Sequence, residues 1–370
     1  MVESSECVAS MVKGSPNDWF DHREEGYMGA DMSRSVRVAC IGTGYFSQFH
    51  YDAWNRIESA EPIASVSLCV EQAKETGLSA YDNVEAMLAA EKPDLVDIIT
   101  PPASHLNLIS LCAQRGVNTI ICQKPFCNSL EEARQAVSLC EASGTNLIVH
   151  ENFRFQPWYR AMKNVIDAGL LGDVHQMTFR LRTGDGQGSD AYLARQPYFQ
   201  KMERFLLHET GVHWIDTFCY LLGRPKAVYA DLRQLNPAIA GEDAGYFIME
   251  FGDGKRAMFD GNRLLDHDAE NCRTTLGEAL LEGTRGTVSL KGNGELTHRV
   301  FGSQSKNILL PSQPWQGFGG DCVIALQSHV IDCLLEDRTD FENRATEYLK
   351  VLEIEDALYR SAQVGRKIAL

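Results

Sequence analysis

The sequence has no C-x-x-C pair, no apolar run long enough to cross a bilayer, no basic excess and no cationic-then-apolar leader at its start. Each lack removes a class of protein. A membrane-spanning helix needs roughly 18 or more consecutive apolar residues, and a secretory leader has a charged end followed by an apolar stretch. Eleven cysteines, an odd number without ligand spacing, read as reduced and mostly buried thiols of a cytoplasmic protein, with no metal site. A formal net charge of −15 leaves no electrostatic footprint for nucleic acid and opposes an anionic membrane surface.

What is present is ordinary globular composition, 44% hydrophobic and 23% charged, in a 370-residue chain that favours two domains over one core. Residues 1–34 show no hydrophobic period and are expected to form a disordered extension. Val36–Ile41 then reads as a strand, Gly42-Thr-Gly-Tyr-Phe-Ser47 as a glycine turn, and Gln48–Ile57 as a helix. That order is the context in which such a turn binds a dinucleotide. Gly42 permits the tight turn, Gly44 admits the pyrophosphate, Tyr45 and Phe46 flank it, and Ser47 is small enough for helix–strand packing. The helix start offers N–H groups and the positive end of its dipole.

The next strand, near Ile63–Val70, ends where a carboxylate would hold the adenosine ribose; Cys69 takes that register and Glu71 is the nearest acid. With no arginine close by for a 2′-phosphate, NAD is preferred over NADP. Asp94–Ile99 leads into the loop Thr100-Pro-Pro-Ala-Ser-His105, expected to lie along the cofactor with Thr100, Pro101 and His105. Ile120–Phe126 (Ile-Ile-Cys-Gln-Lys-Pro-Phe) ends in Lys124, between Gln123 and Pro125. A proline stops the strand there, so the lysine lies at the carboxyl edge of a parallel sheet, where open α/β sheets bind ligands. Further helix and strand to His150 complete a doubly wound Rossmann unit over residues 35–153, with Asn152 at its cofactor edge.

Past that point the pattern changes. Gln176–Arg182, Val228–Leu232, Tyr246–Phe251, Lys255–Arg263, Gly286–Leu290 and Glu295–Phe301 alternate apolar and polar residues, with Gly252-Asp-Gly254 as a hairpin turn. Residues 154–370 are therefore expected to form an α+β domain with an open, mostly antiparallel sheet. Helices are expected near Pro157–Ala168, Phe205–Leu222, Gly320–Leu335 and Ala345–Val364, the last packing back on the first domain. An exposed sheet face of this kind favours a homodimer or homotetramer.

The 205–222 helix carries an unusual polar set. Glu209 and His213 are spaced to share one helical face, and Asp216 is placed to reach the same imidazole and set its tautomer. The spacing of His208 and His213 does not fit a zinc helix. A core histidine satisfied by its neighbours is the bland reading of His213; a general acid/base held between carboxylates is the functional one.

Together these motifs resemble the Gfo/Idh/MocA oxidoreductases over about residues 35–370. The family's Glu-Lys-Pro stands here as Gln123-Lys124-Pro125, and its Asp-x-x-x-His as Glu209-Thr-Gly-Val-His213. The resemblance implies a NAD(P)-dependent sugar or polyol dehydrogenase that oxidises a secondary or anomeric alcohol carbon. Lys124, His213 and Glu209 would be its catalytic residues. Ile121–Phe126, Val149–Arg154, Gln196–Tyr198 and Asn236–Asp243 also resemble the D-apiose dehydrogenases of that family. Substrate contacts are expected from Arg154, Tyr192 and Arg195, with Asp185 and Asp190 as further hydroxyl partners. Glutamine in place of glutamate at 123 is expected to lower the Lys124 pKa. Two other readings keep the cofactor unit: an enzyme that retains NAD and oxidises glycosides transiently, and a non-catalytic NAD(P)-binding sensor.

Overall fold

A computed structural model describes residues 35–370, so the expected N-terminal extension lies outside the described residues. Six strands form the first sheet: β1 (Val36–Ile41), β2 (Ala60–Val66), β3 (Ser79–Tyr81), β4 (Leu95–Ile98), β5 (Thr119–Gln123) and β6 (Asn146–His150). All pair in parallel in the order β3-β2-β1-β4-β5-β6, the doubly wound arrangement whose strand order reverses beside β1. Buried on both faces, β4 and β5 read as near-continuous apolar runs. The helices between strands are α1 (Ser47–Arg56), α2 (Val70–Lys74), α3 (Val84–Glu91), α4 (His105–Gln114) and α5 (Leu130–Ser143). Ser129 caps α5 through the Glu132 N–H, and Gly144 ends it with φ +74°.

After α6 (Pro157–Asp167) come β7 (Val174–Leu181), a π-helical turn at Leu206–Gly211 and α7 (Val212–Leu222). The strands β8 (Ala227–Arg233), β9 (Ala244–Glu250), β10 (Arg256–Asn262), β11 (Gly277–Gly283), β12 (Gly286–Leu290), β13 (Leu296–Val300) and β14 (Asn307–Leu310) follow. Then come α8 (Cys322–Leu335), α9 (Ala345–Val364) and the edge strand β15 (Ile368–Ala369). The nine-stranded second sheet is antiparallel except where β7 pairs in parallel with β10. Its inner face buries Phe179, Leu181, Phe247 and Phe259 against Trp214 and Phe218 of α7.

Two differences from the sequence pattern have local causes. Gly277–Gly283 (Gly-Glu-Ala-Leu-Leu-Glu-Gly) carries few strand-favouring residues, yet pairing on both sides with β7 and β12 holds it extended, with Ala279 and Leu281 inward. The 205–222 helix is not uniform. Its first N–H groups are taken by other elements: Leu206 N–H by Glu242 O at 2.8 Å, Leu207 N–H by Glu242 Oε1 at 3.1 Å and His208 N–H by the Tyr359 hydroxyl at 3.2 Å. The turn widens to a π-helix, so the Glu209–His213 spacing no longer stacks the two side chains.

The end of the chain packs on the first sheet. Cys322, Leu326, Val330 and Ile331 of α8 join one buried cluster with Val38 and Cys40 of β1 and Trp54 of α1, while α9 lies against α5 and β6. No helix among the described residues is long and apolar enough to cross a membrane.

Candidate active site

The glycine turn fits a dinucleotide. Gly42 has φ +121°, and a Cβ there would lie 2.5 Å from the Ile99 carbonyl oxygen, so no larger residue can take the position. A Cβ on Gly44 would meet nothing within 4 Å, which leaves the backbone open to a pyrophosphate. Ser47 is buried and its hydroxyl donates to the Gly44 carbonyl at 2.7 Å, closing the turn, while Tyr45 stays exposed and Phe46 half-buried. These residues would hold the pyrophosphate of NAD or NADP on the α1 N-terminus. After β2, Thr43, Ser67 and Gln72 form a neutral hydrogen-bonded group, Leu68 is fully exposed, and Glu71 points to solvent beside Lys74 at 3.5 Å. Cys69 sits at the start of α2 with its Sγ 3.6 Å from Glu71 Oε2.

In the second loop Ser104 donates to Thr100 Oγ1 at 2.7 Å, shaping the turn around Pro101. His105 is buried with its ring nitrogens on the carbonyls of Thr100 (2.7 Å) and Phe126 (2.9 Å). It ties that loop to the Lys124 turn and presents no free nitrogen to a cofactor. Asn152 is likewise buried, its Nδ2 on Cys322 Sγ at 3.1 Å.

Lys124 follows β5 and reaches across to the π-helical turn. Its Nζ donates to Glu209 Oε1 and to the Glu209 carbonyl, both at 2.7 Å, which leaves one of its three N–H donors uncommitted between these partners. Glu209 Oε2 accepts from Arg263 at 2.7 Å. Burial alone would raise the Glu209 pKa, but Lys124 and Arg263 outweigh it and hold the carboxyl well below the usual carboxylate range. Glu209 therefore serves the lysine rather than the imidazole.

The imidazole has a different partner from the expected one. His213 Nδ1 lies 2.5 Å from Glu151 Oε1. Asp216 instead forms a two-pronged pair with Arg154, at 2.5 and 2.8 Å, so it does not set the His213 tautomer. Arg154 is also 3.7 Å from Glu342; the arginine expected to meet substrate is committed to these carboxylates. Glu151 is fully buried and accepts further from Tyr348 OH (3.2 Å) and Phe153 N–H (3.3 Å). The Phe153 ring stacks on His213 with centroids 3.7 Å apart and a 2° interplanar angle. Burial lowers the His213 pKa, opposed by Glu151, so the ring is neutral near neutral pH. With Nδ1–H donated to the Glu151 carboxylate, Nε2 carries the lone pair, the form a general base requires.

Gln123 is turned away from the lysine ammonium. Its Oε1 accepts the Lys124 N–H at 2.7 Å and its Nε2 lies 2.9 Å from His50 Nε2, while His50 Nδ1 meets Asp97 Oδ2 at 2.8 Å. The exchange at 123 thus bears on a buried His50–Asp97 pair, not on the Lys124 charge as expected. Tyr192, Arg195 and Asp185 gather on one side of Glu209: Arg195 meets Asp185 at 3.1 Å and Tyr192 OH donates to it at 3.2 Å. Asp190 is exposed, its Oδ1 accepting from the Ser189 hydroxyl at 3.2 Å. Glu151 and Arg263 were not singled out by sequence pattern. Each comes from an element whose local sequence advertises only a strand end.

Known proteins carry the same organisation. Residues 36–151 match the oxidoreductase family with an NAD-binding Rossmann fold, GFO_IDH_MocA, and residues 159–289 match the GFO/IDH/MocA C-terminal domain. A D-apiose dehydrogenase of Paraburkholderia graminis is 33% identical, covering 91% of this chain and 90% of its own. The chain belongs to the Gfo/Idh/MocA oxidoreductase family. A second D-apiose dehydrogenase, from Rhizobium rhizogenes, is 30% identical over 90% of this chain and 97% of its own. Among solved structures, an Agrobacterium radiobacter oxidoreductase in complex with NAD+, L-tartaric acid and magnesium superposes with a TM-score of 0.82. It is 28% identical and covers 90% of this chain and 98% of its own. The chain is thus a member of an NAD-binding oxidoreductase family that acts on sugars and polyols.

Proposed function

We propose that this protein is an NAD-dependent sugar dehydrogenase that oxidises a secondary or anomeric alcohol carbon of a small sugar, with D-apiose as the leading substrate. The observation that carries the chemistry is the pairing of a neutral His213, fixed by Glu151, with an ammonium, Lys124, fixed by Glu209. NAD, which the glycine turn Gly42–Ser47 would hold, would supply the hydride acceptor for the carbon being oxidised. His213 Nε2 takes the hydroxyl proton, and the imidazolium so formed is stabilised by the buried Glu151 carboxylate. The remaining Lys124 N–H donates to the same oxygen and stabilises the negative charge that builds on it. Tyr192, Arg195 and Asp185 line the approach and supply hydroxyl partners.

Two near-full-length relatives named for D-apiose support the substrate. The exposed Leu68, where a cation would meet a 2′-phosphate, supports NAD over NADP. The outer face of the second sheet, with Tyr229, Tyr246, Ile248 and Met258 half-buried in one chain, supports a homodimer or homotetramer, readable by light scattering. The deciding assay follows reduced nicotinamide by absorbance, with NAD or NADP against apiose, xylose, glucose, inositol and a glycoside. Turnover with apiose and NAD is expected. Turnover only of another sugar overturns the substrate, and silence with every sugar overturns the dehydrogenase.

A further inference from the structure

Arg263 follows β10 and is only 4% exposed. Its guanidinium is shared between two carboxylates: Nη2 is 2.7 Å from Glu209 Oε2, and Nη1 is 3.5 Å from Asp185 Oδ1. The same Nη2 donates to the Thr210 hydroxyl, which in turn donates to Glu209. Phe205, Tyr192 and Phe199 enclose the cation with ring centroids at 4.6, 5.5 and 5.8 Å. A buried guanidinium is tolerated only when its charge is compensated, and here Glu209 and Asp185 meet Nη2 and Nη1 from two sides, while Nε has no hydrogen-bond partner among the described residues.

The two carboxylates belong to different parts of the site. The other oxygen of Glu209 holds Lys124, and the other oxygen of Asp185 holds Arg195 at 3.1 Å. A row of alternating charge, Lys124–Glu209–Arg263–Asp185–Arg195, therefore runs from the end of β5 into the loop 184–200. That loop is tied down at further points. Thr183 donates to Asp185 at 2.6 Å, the Gly186 N–H donates to the Arg263 carbonyl at 2.9 Å, and Asn236 Nδ2 donates to the carbonyls of Gly186 and Gly188 at 2.7 and 2.8 Å. Tyr192 holds a left-handed backbone, φ +69°, which a bulky side chain keeps only where its surroundings over-determine it. Its ring lies against Arg263 and its hydroxyl on Asp185.

We propose that Arg263 is a positioning residue that makes the loop 184–200 and the Lys124 ammonium one mechanical unit. It fixes the Glu209 carboxylate that aims the lysine, and it hands the seating of the loop, through Asp185, to that carboxylate. A sugar that fits the loop then finds Lys124 aimed, and one that displaces Asp185 disturbs the lysine as well. Selectivity would appear in kcat as much as in KM. This rests on the dehydrogenase reading of Lys124, but the link between loop and lysine can be tested without any substrate.

The test is hydrogen exchange over residues 184–200 in full-length wild type, Glu209→Gln, Arg263→Lys and Arg263→Ala, with strands β1 and β5 as the control for fold. Among the described residues Glu209 has no hydrogen bond to the loop except by way of Arg263, and Glu209→Gln is expected to speed loop exchange about tenfold while the control strands stay protected. Arg263→Ala should do the same and recover protection when methylguanidinium is added. If Arg263→Ala fails to fold, Glu209→Gln and Arg263→Lys decide. Loop exchange unchanged in Glu209→Gln overturns the proposal. With a sugar that is turned over, Arg263→Lys should lower kcat about 10- to 100-fold at unchanged NAD affinity, and undiminished kcat also overturns it. A wild type that oxidises no sugar refutes the dehydrogenase, while the exchange result still decides the link.

Discussion

Glu151 Oε1 and His213 Nδ1 are 2.5 Å apart inside a fully buried pocket, and that contact decides which nitrogen of the imidazole can act as a base. Glutamine at 151 is nearly isosteric but neutral, so it cannot compensate the positive charge of the imidazolium that forms when His213 takes the proton. Glu151→Gln is therefore expected to lower kcat by on the order of 10²–10⁴, the usual range for losing a general base. NAD affinity, followed by quenching of protein fluorescence, should stay at the wild-type value. A loss in kcat under about tenfold would remove Glu151 from this role.

Lys124→Met and His213→Ala should each reduce turnover by orders of magnitude and leave cofactor binding in place. The two are expected to be non-additive, because both groups act on one oxygen in one step. A double variant slower by the product of the two single effects would show that they act separately.

Burial lowers the His213 pKa below the ordinary histidine value of about 6.5. The base form then persists into mildly acid solution, so the acid limb of kcat/KM should fall below about pH 6.5. A midpoint above that value would contradict the assignment. His150 is pushed down further by burial, with neither ring nitrogen hydrogen-bonded. For both groups the folded pKa is depressed, so the unfolded chain binds more protons as the pH drops. Stability is lost as pH falls from about 6.5 downward, which thermal melts across that range would record.

Gln123 Oε1 is fixed by the Lys124 N–H, so its Nε2 donates to His50 Nε2, and His50 keeps its proton on Nδ1 toward Asp97. Glutamate at 123 would face that lone pair unless His50 takes a second proton. In Gln123→Glu the buried His50 would lose the donor it accepts from and meet a second acceptor, so the variant should melt several degrees below wild type. An unchanged melting temperature would refute the arrangement.

Much of this architecture is legible in the sequence, because its signals are local. Strand, glycine turn and helix at 36–57 are contiguous, and Lys124-Pro125 marks a strand end by backbone chemistry alone. The partners of the site are not legible, because they arise from long-range closure. Glu151 meets His213, and Arg263 meets Glu209, only once the second sheet has folded against α7. The helical spacing of Glu209, His213 and Asp216 suggested one face. The π-helical turn at Leu206–Gly211 undoes that inference for Glu209, and Arg154 claims Asp216. Likewise Gly277–Gly283 becomes a strand through its two neighbours and not through its own preferences.

The order of synthesis is set against the order of assembly here. The ribosome delivers the nucleotide-binding half first, yet one wall of that half, around Val38, Cys40 and Trp54, is closed by Leu326, Val330 and Ile331. While the intervening residues are being made, the emerging N-terminal half holds an apolar surface without the α8 side chains that cover it in the folded chain. A nascent chain halted anywhere before α8 should be a client for holding chaperones, and a late truncation should cost solubility far from the deleted residues.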